Sequence, residues 1–214
     1  MTTLPLTPDE LLTTTRSVRK RLDLTRDVPL ELVRECVEIA LQAPSGSNRQ
    51  GWHWVIVTDP GLRRAVGEVY RRAVDAYVAA PGYAGRLFQD DPDRAGVQQR
   101  IGDSVEYLGA HLGEAPVLVL PCLTAPRLSG GNQAGLWGSL LPAAWSYMLA
   151  ARARGLGTAW TTLHLAHERE VAELLGIPAD VRQGVLIPTA YYTGDTFRPA
   201  PRQPLDEVWH HDGW

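Results

Sequence analysis

The chain has 214 residues, 44% of them hydrophobic and 21% charged, with a formal net charge of −3. That size and balance suit one globular domain with a proper core. The weak acidity removes any electrostatic reason to expect nucleic acid or an anionic membrane as the main partner.

Thr7-Pro8-Asp9-Glu10 reads as a helix start: Thr7 can cap, Pro8 suits the first turn, and Glu10 can complete a capping box. The helix should run from about Pro8 into Thr13–Thr15. Arg16-Ser17-Val18-Arg19-Lys20-Arg21 then puts four cations into six residues. Arg16 and Arg19 with Ser17 between them can grip a phosphate through charge-assisted bonds, or form a solvated basic turn. From Pro29 to Ala43 the period is helical, with Glu31, Arg34, Glu35, Glu38 and Gln42 on one stripe. Val33, Cys36, Val37, Ala40 and Leu41 fill the other side, and Pro44 stops the helix.

Ala43 to Trp54 (APSGSNRQGWHW) leads from that helix to an apolar run. Ser45, Ser47, Asn48 and Gln50 offer hydrogen-bonding groups beside two indoles. A polar-edged ligand wall and a plain helix-to-strand loop both fit these residues. Trp54-Val55-Ile56-Val57 is expected as a strand buried on both faces. Asp59-Pro60 caps a helix running towards Ala80. Residues 81–94 are irregular and acidic, an excursion or lid, followed by a helix from about Gly96 to Gly113. Residues 116–122 (PVLVLPC) form a second buried strand, and Leu128 to Asn132 a glycine-rich connector. A long, nearly all-apolar helix spans about Leu136 to Arg154 and should be central.

Gly155 to Thr162 (GLGTAWTT) ends that helix and enters a strand; a short helix follows, stopped by Gly176 and Pro178. Gly184 to Tyr192 is the last strand. The tail from Thr193 to Trp214 is rich in proline, carries Arg198 and Arg202, and is expected as an extended arm. Cys36 and Cys122 are expected as buried thiols of a reducing compartment. No apolar run reaches the ~18 residues of a membrane span. No secretory signal pattern opens the chain, so the cytoplasm is the expected location.

Several motifs are missing. Gly155-Leu156-Gly157 lacks the third glycine of a dinucleotide fingerprint and follows a helix where a strand is needed. There is no Walker loop, no Gly-x-Ser-x-Gly elbow and no HExxH. His164 and His167 are three apart, a spacing open to a metal pair or to a strand-to-helix junction, and no metal is expected. No nucleophile–base dyad is evident, so an enzyme of this sequence would lean on a bound cofactor.

Three segments together resemble the nitroreductase family of FMN-dependent oxidoreductases. They are Arg16-Ser17-Val18-Arg19; Ala43-Pro44-Ser45-Gly46-Ser47-Asn48-Arg49-Gln50-Gly51-Trp52; and the apolar helix ending in Gly155-Leu156-Gly157-Thr158, with Arg202-x-Pro204-Leu205 beyond it. The run TTTRSVRKRL and the ending GW are also similar to an actinobacterial subgroup of NAD(P)H nitroreductase-like proteins. The resemblance implies one α+β domain over residues 1–214, an α/β/α sandwich with a mostly antiparallel sheet. It further implies a homodimer, the sheet completed by a C-terminal strand or arm (193–214) from the partner subunit.

By the same resemblance, Arg16, Ser17, Val18 and Arg19 hold the FMN phosphate and ribityl chain, and Arg202 meets the same phosphate. Pro44, Ser45 and Gly46 come from the partner subunit, with Asn48 and Gln50 near the flavin's polar edge. Leu156, Gly157 and Thr158 lie along the ring, and Thr161 is a further contact. The implied reaction is ping-pong: NADH or NADPH gives hydride to flavin N5, and a nitroaromatic, quinone or other small electrophile then takes the electrons. No side chain is needed as acid or base. Residues 70–114 form a helical excursion over the active site, with Tyr83, Phe88 and Tyr107 as roof candidates. Two departures leave the acceptor open: Gly51 stands where many relatives have proline, and GLGTAWTT differs from the acidic-glycine version of the best-known members. Reductive dehalogenation or flavin cleavage on the same fold is one alternative, and a non-catalytic flavin-binding or storage protein is another.

Overall fold

The structure, a computed structural model, describes residues 3–125 and 132–214. The connector expected at Leu128 to Asn132 therefore lies almost wholly outside the described residues. Helix α1 (Pro8–Thr14) opens with the capping box: Thr7 accepts from the Glu10 N–H, and the Glu10 carboxylate accepts from the Thr7 N–H. Helix α2 (Leu30–Ala40) buries Leu32, Val33, Cys36 and Ala40. It ends before the expected Ala43, and Leu41, expected inward, is 40% exposed. Strand β1 (Trp52–Val57) leads to α3 (Pro60–Ala79), capped by Asp59, whose carboxylate accepts from the Leu62 N–H. Helix α4 (Pro92–His111) begins four residues before the expected Gly96. Asp91 and Pro92 repeat the Asp-Pro start of α3, with Asp91 accepting from the Asp93 and Arg94 N–H groups.

Strand β2 (Val117–Thr124), helix α5 (Ala134–Ala153), strand β3 (Leu156–Thr158), helix α6 (Glu168–Leu175) and strands β4 (Val181–Gln183) and β5 (Ile187–Tyr191) complete the chain. Gly176 ends α6 at φ +64°, a left-handed stop that glycine takes without strain. All strand pairings are antiparallel, in the order β1-β2-β5-β3, with β4 beside the second half of β2.

Alternation along β2 assigns the two faces. Val117 and Val119 pack with α2 and α5, whereas Leu118, Leu120 and Cys122 pack with residues of α3, α4 and α6. The result is a mostly antiparallel sheet with helices on both sides, the expected α+β sandwich. Strand β1 departs from expectation. It is the edge of the sheet and only Val57 is fully buried, because no strand covers its outer side among the described residues. Both cysteines are buried free thiols, and burial raises Cys36 to about 11 and Cys122 to about 12. Among the described residues no helix is long and apolar enough to cross a membrane.

Candidate functional site

Helix α1 delivers the Arg16–Arg21 turn directly onto β3. The Val18 N–H donates to the Thr158 carbonyl at 2.7 Å, and Ser17 bridges Thr158 in parallel. Val18 is buried and lies over Gly157, where an added Cβ would come 3.1 Å from the valine side chain. Two segments whose starts lie 140 positions apart in the sequence, Arg16–Arg19 and Leu156–Thr158, are thus one structural unit. Gly157 also has a reason within the chain itself: a side chain there would press on Val18, which would have to give by a few tenths of an ångström.

A cavity of about 590 Å³ opens beside this turn. Its lining includes Arg16, Ser17, Arg19, Lys20, Arg21 and Arg198, with Ser104 of α4 and the root of the tail from Thr196 to Pro201, and among the described residues no carboxylate. Arg16 donates to the Arg198 carbonyl at 3.3 Å, and Arg19 to Ser104 Oγ at 3.2 Å. Burial, and after it the charge of Arg202, holds Arg16 below the usual arginine value. Burial does the same for Arg19, partly opposed by Tyr70. Cations gathered without an acid repel one another, and the arrangement suits an anion with several oxygens, a phosphate above all. Arg202, expected here from sequence, is exposed and close enough for its charge to act on Arg16.

The Pro44–Gly51 turn forms a separate wall. Ser45, Gly46 and Gln50 line a cavity of about 400 Å³ that shares no residue with the first. Ser139 of α5, which the sequence reading missed, docks this turn: its Oγ accepts from the Gly46 N–H at 2.9 Å, and its carbonyl from Trp52 Nε1 at 2.7 Å. Ser45 Oγ accepts from the Gln50 N–H, and Asn48 Oδ1 from Gln50 Nε2 at 2.8 Å. Ser47, Asn48 and Gln50 sit at φ 54°, 52° and 50°. Left-handed backbone costs roughly 1–2 kcal/mol for an ordinary residue and less for asparagine, so Ser47 and Gln50 make this exposed turn a strained one. Pro44 is exposed at its start.

Thr161 lies apart from both cavities, buried and hydrogen-bonded to the Tyr70 hydroxyl at 2.9 Å. Leu156 is buried in the core with α2 and α5. Of the roof candidates, Tyr83 is turned inward. It donates to the Glu106 carboxylate and meets Tyr77 edge-on, and burial followed by Glu106 pushes it up to about 12. Phe88 is exposed under the Arg94 guanidinium, and Tyr107 packs on His111. Ser104, Ser139 and Tyr70 had no signal in the sequence, since each reads as an ordinary helical position.

The nitroreductase family model matches residues 12–191. An NADH dehydrogenase of Thermus thermophilus is 31% identical over 209 residues, covering 90% of each chain. A 4-nitrobenzoate reductase of Nocardioides sp. is 30% identical over 189 residues, 76% of this chain and 71% of that one. Among solved structures, oxidised iodotyrosine deiodinase bound to FMN and 3-iodo-L-tyrosine superposes with a TM-score of 0.71 at 25% identity, covering 96% of this chain and 98% of that one.

Proposed function

The chain belongs to the nitroreductase family, and on that premise we propose that it is an FMN-dependent oxidoreductase. The electron donor is NADH or NADPH, and the acceptor a nitroaromatic, quinone or other small electrophile. The observation that carries this reading is the arginine cavity, acid-free among the described residues, beside a turn that pairs with β3. The donor set fits a phosphate-bearing flavin: Arg16, Arg19 and Arg202 supply charge, the exposed Ser17 hydroxyl a neutral donor, and β3 an ordered edge beside them.

FMN, when bound, supplies a two-electron centre able to accept hydride from a reduced nicotinamide and to reduce a second substrate. The residues of this chain bind and orient. Arg16, Ser17, Val18, Arg19 and Arg202 hold the phosphate end, and Leu156, Gly157 and Thr158 border the ring, with Thr161 behind them. In a homodimer, Pro44, Ser45, Gly46, Asn48 and Gln50 serve the flavin of the partner. The separation of the two cavities within one chain supports that division of labour. No side chain is assigned as acid or base.

Purified protein should be yellow, with a flavin spectrum that NADH or NADPH bleaches in the absence of oxygen. Colourless protein that takes up no added FMN would sink the reading. The likeness to iodotyrosine deiodinase supports a second reading, reductive removal of halide from a haloaromatic. Halide release from a halophenol by the reduced protein would favour it, and reduction of nitro and quinone acceptors without any halide release would exclude it.

A further inference from the structure

Arg152, in the last turn of α5, is a buried guanidinium with only 3% exposure and no carboxylate bonded to it among the described residues. Its donors end on neutral hydroxyls, Tyr192 at 2.6 Å, Thr196 at 3.4 Å and Thr14 at 3.5 Å, and its Nε has no hydrogen-bond partner among the described residues. Aromatic faces stand where a counter-ion is usual: the guanidinium carbon is 5.4 Å from the Tyr192 ring and 5.1 Å from that of Phe197. Arg21 approaches the same pair, 4.3 Å from Phe197 and 5.6 Å from Tyr192, while the two rings are 4.7 Å apart.

Two cations thus share one aromatic pair. Arg21 also donates to the Thr193 carbonyl at 2.7 Å and the Thr196 carbonyl at 3.0 Å. Gly194 between them has φ +78°, and a Cβ there would strike the Arg21 guanidinium at 2.8 Å. The clamp joins three places: the chain just after Arg19, the end of α5 just before β3, and the root of the tail, whose Thr196 and Phe197 line the arginine cavity.

We infer that the Arg21–Phe197–Arg152 clamp sets the root of the tail as the far wall of the anion cavity, with Phe197 and Arg152 acting as positioning residues for phosphate capture. The inference rests on the FMN reading above. It assigns a role to a ring and a guanidinium that need not touch the ligand. Loss of the clamp should free the Thr196–Pro201 wall, and with it the Arg198 carbonyl that steadies Arg16, while leaving the β3 side of the site in place. The deficit should therefore fall on the phosphate alone.

The test compares FMN with riboflavin, which has the same ring and no phosphate, by quenching of flavin fluorescence. Phe197→Leu keeps apolar volume and loses the π face. It should weaken FMN about tenfold and change riboflavin by less than about twofold. Phe197→Tyr should restore FMN affinity, and Arg152→Met should behave like Phe197→Leu, which also covers the case of one variant failing to fold. Equal losses for both flavins, or unchanged FMN affinity in folded Phe197→Leu, would overturn the clamp. Wild-type protein that binds neither flavin would overturn the FMN reading, and the inference with it. Wild-type protein that prefers FMN while Phe197→Leu retains that preference overturns the clamp alone.

Discussion

His164 lies fully buried in the 3-10 turn Leu163–His167, with neither ring nitrogen hydrogen-bonded among the described residues. Desolvation holds it down to about 4, against a smaller opposing pull from Glu168. Its folded value is below its unfolded one, so the contribution is intact above about pH 6.5 and is lost as pH falls towards about 4. The loss should approach about 3 kcal/mol, an upper figure set by the full shift. Urea midpoints at about pH 7 and about pH 4.5 should differ less in His164→Met than in wild type; equal differences would place the acid sensitivity elsewhere. At the cavity, Arg16→Ala should weaken FMN about tenfold or more, and Asn48→Ala less, as fluorescence titration would read. The arginines were legible from sequence because a cluster of like charges is itself a signal. Ser139, Ser104 and Tyr70 were not, because a hydroxyl on a helix carries no mark of what will approach it.

At the scale of elements, helix starts were the most readable features, since a cap is a local bargain between neighbours. Thr7/Glu10 and Asp59-Pro60 both formed as expected, and Asp91-Pro92 shows that the same rule would have placed α4 correctly. Packing between elements was not readable. Gly67 of α3 faces the 3-10 turn Leu112–Glu114, and a Cβ at 67 would come 2.8 Å from the Gly113 backbone. Backbone cannot rotate away as a side chain can, so Gly67→Ala should destabilise by about 1–3 kcal/mol in urea unfolding. Gly96, exposed within α4 with only the Arg100 tip at 3.6 Å, is the contrast: Gly96→Ala should be neutral or stabilise by up to about 1 kcal/mol. If both variants unfold at the same urea concentration, close α3 packing is not what holds this region.

At the scale of the molecule, the exposed apolar residues stand out. Ile39 and Leu41 of the α2 end, Trp145 of α5 and Trp209 of the tail are uncovered in the single chain, and Trp209 is 63% exposed. A homodimer, as proposed, would cover such surface and bring the Ser45–Gln50 turn to a second chain's cavity. Sedimentation equilibrium should then give twice the 23.5 kDa chain mass. Trp145→Glu should shift the population towards monomer by at least about tenfold in association constant and lower FMN uptake with it. A wild-type chain that remains monomeric at micromolar concentration would refute this arrangement.

The sequence by itself determined the existence of the main helices, the caps of α1 and α3, the apolar run of β2, the burial of both cysteines and the family to which the chain belongs. All of these follow from short-range periodicity or from residue types in a fixed order. Tertiary structure alone decided that β1 is an edge and that Tyr83 turns inward. It also decided that Val18 packs closely over Gly157, and that Phe197 lies against two arginines 131 positions apart in the chain. Those outcomes depend on which distant surfaces meet. Burial, clearance and charge compensation are properties of a contact, and a contact between residues far apart in sequence has no period to be read.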